Sequence, residues 1–170
     1  MKTFLIKIRS AVLVFLTHQI ALPVLKIIRR PNAFVYTKDD LKKFPSGSLG
    51  NDLYWFLEKR NLPLLKHYAR HDLKHVLLNY DTTDEGEARL QCFMLGNGRV
   101  SFPVLATVMY SLLTMPEYWK RMGVAFRQGR CSISVHNWQW NEVIKEQTVQ
   151  LRNRVFNHSI NKTSGQEYEE

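Results

Sequence analysis

The sequence predicts an all-α protein, a single compact helical domain. Three observations carry this. Apolar residues recur three or four apart through most of the chain. The interruptions fall on residues that stop or start helices, such as Arg30-Pro31-Asn32, Asn61-Leu62-Pro63 and Gly96-Asn97-Gly98. No stretch alternates apolar and polar residues for long enough to supply a sheet. The 170 residues are 45% hydrophobic and 23% charged, an ordinary globular composition that excludes disorder along the whole length and suits one domain.

The elements follow in order. Residues 3–29 read as one helix that Pro23 can kink, stopped by Arg30-Pro31-Asn32. Thr37-Lys38-Asp39-Asp40 caps a short helix into Phe44. Pro45-Ser46-Gly47-Ser48-Leu49-Gly50 is a loop, and a helix spans 50–60. Asn61-Leu62-Pro63 restarts a helix that runs to Tyr80, with Pro63 in the tolerated first turn. Thr82 with Glu85 forms a capping box for the next helix, which Gly96-Asn97-Gly98 ends near Leu95. Residues 101–115 are apolar and of helix length. Pro116 opens another helix, with Gly129 as its stop. Residues 131–136 suit a short extended piece, and 138–156 a last helix. The expected domain is 1–156. The tail 157–170 has one aliphatic residue, Ile160, and is expected to be disordered.

Charge is uneven. The chain carries 24 Lys and Arg against 15 Asp and Glu, for +9, and residues 1–38 hold seven of those cations and no acid. A basic, apolar segment over 1–30 points to an anionic membrane surface at least as much as to nucleic acid. It reads as a surface-lying amphipathic helix or an ordinary core helix. Its charge pattern also suits a leader peptide, but no clear A-x-A cleavage site follows. Residues 11–25 come closest to a membrane span, but His18, Gln19 and Pro23 interrupt them. Cys92 and Cys131 form no CxxC. They exclude a disulfide framework, so a reducing compartment is the default.

The chemistry concentrates in His71-Asp72-Leu73-Lys74-His75, followed after eleven residues by Glu87. With His71 at zero on a helix, His75 lies at about 40° and Asp72 at about 100°. Leu65, Ala69, Val76 and Tyr80 share the expected core face, and Lys66, Arg70 and Lys74 the solvent face. His75 and Glu87 both fall ~7 Å from the turn between their helices, level with each other in an antiparallel pair. Two imidazoles and two carboxylates can then hold a divalent metal, with zinc, iron, manganese and magnesium all open. Affinity would fall as pH drops through ~6, because imidazole must be neutral to bind. The bland alternative is a polar boundary cluster, with Glu87 merely complementing a helix dipole.

The same residues carry a resemblance. His-Asp-x-x-His, eleven residues, then Glu resembles the signature of the coenzyme Q (ubiquinone) biosynthesis protein four family. Ser48-Leu49-Gly50, Tyr80, Gly86-Glu87, Leu90, Ala125-Phe126-Arg127-Gln128-Gly129-Arg130 and Trp138 or Trp140 fit its pattern over roughly 44–155. Asn79 stands where that family usually has glycine. The resemblance implies an all-helical protein at the membrane surface that handles polyprenylated quinone precursors. It also implies a divalent metal at His71, Asp72, His75 and Glu87. Members are linked to oxidative removal of a ring carboxyl group and to holding a multi-enzyme quinone-synthesis complex together.

Other patterns weigh less. His71-Asp72-x-x-His75 echoes the H-E-x-x-H helix of metalloproteases, but no further peptidase signature is visible. The apolar 101–115 segment suits either core or a groove for an isoprenoid tail. Met94, Met109, Met115 and Met122 suit an adaptable pocket or plain gap filling. Arg127 and Arg130 are candidates for a lipid or substrate head group. Gly47 and Gly50 are no phosphate loop, since no Gly-Lys-Ser/Thr follows. No nucleic-acid reading helix is identifiable.

The expected molecule is therefore a helical domain with a metal-bearing antiparallel hairpin beside an apolar groove. It would act on a polyprenylated benzenoid acid as a metal-dependent decarboxylase, or serve as a non-catalytic prenyl-lipid scaffold. The expected partners are a prenylated quinone precursor or isoprenoid lipid, an anionic membrane, other quinone-biosynthesis proteins and a second copy of the chain. The expected location is cytoplasmic and peripheral to a membrane, or the matrix face of the mitochondrial inner membrane in a eukaryote.

Overall fold

A computed structural model describes residues 34–163. The expected helix over 3–29 and the end of the tail lie outside the described residues. Eight α-helices follow one another, with no strand among the described residues: α1 (Lys38–Lys42), α2 (Leu49–Glu58), α3 (Ala69–Leu78), α4 (Asp84–Gly96), α5 (Phe102–Thr114), α6 (Trp119–Cys131), α7 (Trp140–Val143) and α8 (Thr148–Thr163). A 3₁₀ turn, Pro116–Tyr118, joins α5 to α6. No described helix is long and apolar enough to cross a membrane.

Packing centres on α4. Its most extensive partner is α6, and α5 lies on it as well. Glycine makes this possible. A Cβ on Gly96 would overlap the Phe126 carbonyl, and one on Gly129 the Phe93 carbonyl, so the two backbones approach directly. Gly129 thus lies inside α6 as a packing residue, and does not end the helix as the sequence suggested. Asn97 ties the far ends together. Its buried amide donates to the carbonyls of Gly129 and Ile133, and its Oδ1 accepts from Val135 N–H. On the other side α2 covers α3, α1 covers α2, and α8 lies on both α3 and α6. Leu53, Leu57, Leu73, Leu77, Leu90, Phe93, Met94 and Leu151 fill the shared core.

Several boundaries differ from expectation, some for local reasons and some for distant ones. No helix forms over 63–68, and α3 starts only at Ala69. Asn61 adopts positive φ (51°), Pro63 disfavours helix at Leu62, and the Lys66 carbonyl accepts from Phe34 N–H. Leu65 is accordingly 41% exposed, not core, while Lys74 is only 6% exposed because α2, α4 and α8 surround its helix. Thr83, not Thr82, caps α4, accepting from Gly86 N–H. The expected helix over 138–156 breaks between Val143 and Thr148. The freed carbonyls of Ile144 and Glu146 accept from Gly50 and Leu49, the otherwise unpaired first N–H groups of α2. Helix α8 then continues to Thr163, past the expected boundary at Phe156. Met94, Met115 and Met122 are core, whereas Met109 is exposed.

Candidate metal centre

The centre forms where α3 passes the first two turns of α4. Thr83 caps α4 and Asp81 accepts from the Thr83 N–H, which fixes the first turn carrying Glu87. A side chain at Gly86 would collide with Asp81, so glycine lets that turn close. At the other end of the connection Asn79 takes φ 57°, the left-handed region that glycine adopts freely and asparagine tolerates. This turns the Tyr80 carbonyl back onto the His75 ring.

His71, His75 and Glu87 converge. One ligand atom from each lies within 4.8 Å of the others. Nε2 of His71 is 3.0 Å from Glu87 Oε1, and Nε2 of His75 is 3.0 Å from Oε2. Nδ1 of His75 is 3.1 Å from the Tyr80 carbonyl. A carbonyl only accepts, so Nδ1 carries the proton and a neutral His75 turns a bare lone pair toward the carboxylate. Gln91 donates to Glu87 Oε1 at 2.7 Å and lies 3.2 Å from His71 Nε2. The Tyr68 hydroxyl is 3.3 Å from the same nitrogen. Phe56 stacks on the His75 ring, and His75 is almost wholly buried.

Three acceptors turned on one another need positive charge between them. Burial opposes charge on His71, but the Glu87 carboxylate and the nearby Asp72 override it and lift its pKa to about 9. Burial likewise works to raise Glu87, yet His71 and His75 hold it well below the usual carboxylate range. Without a metal, a proton on His71 supplies the charge. The donor set of two imidazoles and a carboxylate fits a divalent ion equally well.

Asp72, the fourth expected ligand, stands apart from this trio. Its Oδ1 is 3.7 Å from His71 Nδ1, the nitrogen turned away from Glu87. That is too long for a hydrogen bond, and Nδ1 is buried without a hydrogen-bond partner. Arg127 and Arg130 lie on the exposed side of α6, level with Gly96 at the far end of α4. Glu87 is ~13 Å back along that helix, so the structure does not bring these arginines to the centre. Sequence reasoning missed Gln91, Tyr68 and the Tyr80 carbonyl. Gln91, one turn after Glu87, was legible by spacing alone. A cleft of about 380 Å³ opens beside His75, walled by Trp55, Phe56, Lys59, Arg60 and Arg152 among others.

Fold and centre together define an all-helical protein with an imidazole–carboxylate cluster between two consecutive helices. The model of the coenzyme Q (ubiquinone) biosynthesis protein Coq4 family matches residues 64–160, more than half of the chain, and the chain belongs to that family. The match includes all four expected ligands. The chain is also similar to a crystal structure of a proposed ubiquinone biosynthesis protein from Nostoc punctiforme PCC 73102. The TM-score is 0.55 and the identity 25%, over 81% of this chain and 80% of that one. No curated protein matches.

Proposed function

We propose that this protein acts in ubiquinone biosynthesis on a polyprenylated benzenoid acid. The bond from ring to carboxyl would break to release carbon dioxide and a hydroxyl would take its place, with dioxygen as the two-electron oxidant, reduced to hydrogen peroxide, and water completing the balance. His71, His75 and Glu87 would hold a divalent metal ion. The observation that carries this reading is the convergence of two imidazole nitrogens on both oxygens of one carboxylate, with the second nitrogen of His75 tied to a backbone carbonyl. Such outer contacts fix the tautomer and aim of a ligating histidine.

When bound, the ion would supply Lewis-acid stabilisation of negative charge on the ring carboxylate or phenolate. The chain's own groups do the rest. Gln91 holds Glu87 Oε1 in place. Asp72 acts on the His71 ring through its charge and favours proton retention at Nδ1. Phe56 shields His75 from water. The cleft beside His75 would take an aromatic acid, its ring against Trp55 and Phe56 and its carboxylate toward Lys59 and Arg60, away from Asp52 and Asp81 of the same cleft. These cations take the head-group role that the sequence suggested for Arg127 and Arg130.

The test is metal analysis of natively purified protein and of His75→Ala, with carbon dioxide release from a prenylated hydroxybenzoate measured in parallel. Metal in the wild type, its loss in the variant and turnover only in the wild type are expected. Metal without turnover would favour the scaffold reading, in which the ion is structural or holds a lipid head group. Absence of metal would end the catalytic version and leave the lipid-binding scaffold.

A further inference from the structure

Helix α5 is uncharged and mostly apolar. Its sequence, FPVLATVMYSLLT, contains no Asp, Glu, Lys or Arg. Val104, Val108 and Ser111 are its buried residues, on the side toward α4. Phe102, Leu105, Met109, Leu112 and Leu113 are exposed, Phe102 by 76% and Leu113 by 78%. Successive residues turn by about 100°, so these five share one stripe, an arc of about 100° beside the buried face. A contiguous exposed apolar patch marks a surface that something covers. Exposed Trp119, at the start of α6, adjoins the stripe, and its indole donates to the Leu112 carbonyl at 2.8 Å.

The surrounding charge selects the occupant. From Arg99 to Asn141 the chain carries Arg99, Lys120, Arg121, Arg127 and Arg130 against a single acid, Glu117. Arg121 pairs with Glu85, while Lys120, Arg127 and Arg130 lie on the exposed side of α6. A second copy seated on this face by two-fold symmetry would bring the cationic fringe against its own image, which repels. An anionic lipid surface meets both features. The acyl boundary takes the stripe and the head groups take the cations. Trp119 and Tyr110 have the amphipathic rings that settle at such a boundary.

We propose that α5 and the exposed basic side of α6 form a docking surface for an anionic phospholipid bilayer, with α5 lying in the plane of the interface. This does not depend on the metal. It places lipid contact within the folded domain and not solely in residues 1–30.

The experiment is flotation of the full-length protein with vesicles of phosphatidylcholine plus phosphatidylglycerol, and with pure phosphatidylcholine. Met109→Gln/Leu113→Gln should lower binding to both by about tenfold or more. Lys120→Gln/Arg127→Gln, at exposed positions only, should lower binding to the anionic vesicles by about tenfold and leave any binding to the neutral ones unchanged. Sedimentation velocity and melting temperature without lipid accompany each variant. Unchanged flotation of both variants, with loss in Lys2→Gln/Lys7→Gln/Arg9→Gln, would overturn the proposal in favour of the N-terminal segment. A fall in mass for the apolar variant would mean that a second copy covers the face. A fall in its melting temperature would mean that the chain covers the face itself. Either result overturns the proposal.

Discussion

A single carboxylate governs the electrostatics of the centre. Glu87 meets both imidazoles, and although burial is the largest single influence on His71, Glu87 and Asp72 together override it and lift its pKa from 6.5 to about 9. In metal-free protein this raised pKa contributes stability that is fully present below 6.5 and is lost as pH rises through about 9. A metal reverses the sign, because it must displace the His71 proton, so its affinity climbs over the same window. Melting curves of EDTA-treated protein should therefore shift downward between pH 6.5 and 9 while apparent metal affinity rises. If neither quantity changes across that window, the charge arrangement is wrong. The sequence placed this competition near pH 6, since it could not show that one carboxylate would bind both rings. Gln91→Leu removes the amide that holds Glu87 Oε1. Its expected effect is metal affinity weakened roughly 10–100-fold, with the fold retained, read by competition with a chromogenic chelator.

At the scale of helices, backbone contacts set the geometry. Gly129→Ala would drive a methyl group into the Phe93 carbonyl and pry α6 from α4. Overpacking of this kind costs about 1–3 kcal/mol, measurable by urea denaturation. Asn79→Ala should cost roughly 1–2 kcal/mol for its left-handed backbone, whereas Asn79→Gly should be neutral or stabilising. Equal losses in both variants would mean that the Asn79 side chain matters, not its φ. Helices were legible where local pattern decided them. The 101–115 segment, the cap at Thr37 and the shared arc of His71 and His75 all depend on residues within a few positions. Much of what escaped depended on distant backbone, although the cap at Thr83 and the non-helical 63–68 are set within a few residues. The break after Val143 exists because α2 needs carbonyl acceptors, and Gly129 is required by a helix more than thirty residues upstream.

For the molecule as a whole, the centre joins α3 to α4 mainly through side chains, since few of their backbone positions lie close. A bound ion would brace that joint. Added metal should raise the folding free energy by about 2.7 kcal/mol at a hundredfold excess over Kd, seen as a melting shift of several degrees that His75→Ala abolishes. Identical melting with EDTA and with each of zinc, iron, manganese and magnesium would remove the metal reading, while the family membership would stand.

The seam between α2 and the segment before α8 also orders events during synthesis. The first turn of α2 takes its acceptors from residues about a hundred positions later, as the Ser46 and Gln147 contact also spans 101. A nascent chain that has emerged only through α6 therefore has an α2 whose leading amides are still bound to water. Such long-range closure is slow, because the loop must be drawn together before its contacts reward it. A ribosome-stalled chain ending before Ile144 should leave the start of α2 open to protease, and one extended past Leu151 with its exit-tunnel spacer should protect it. The C-terminal third is thus the latch on a domain whose candidate centre has already been translated.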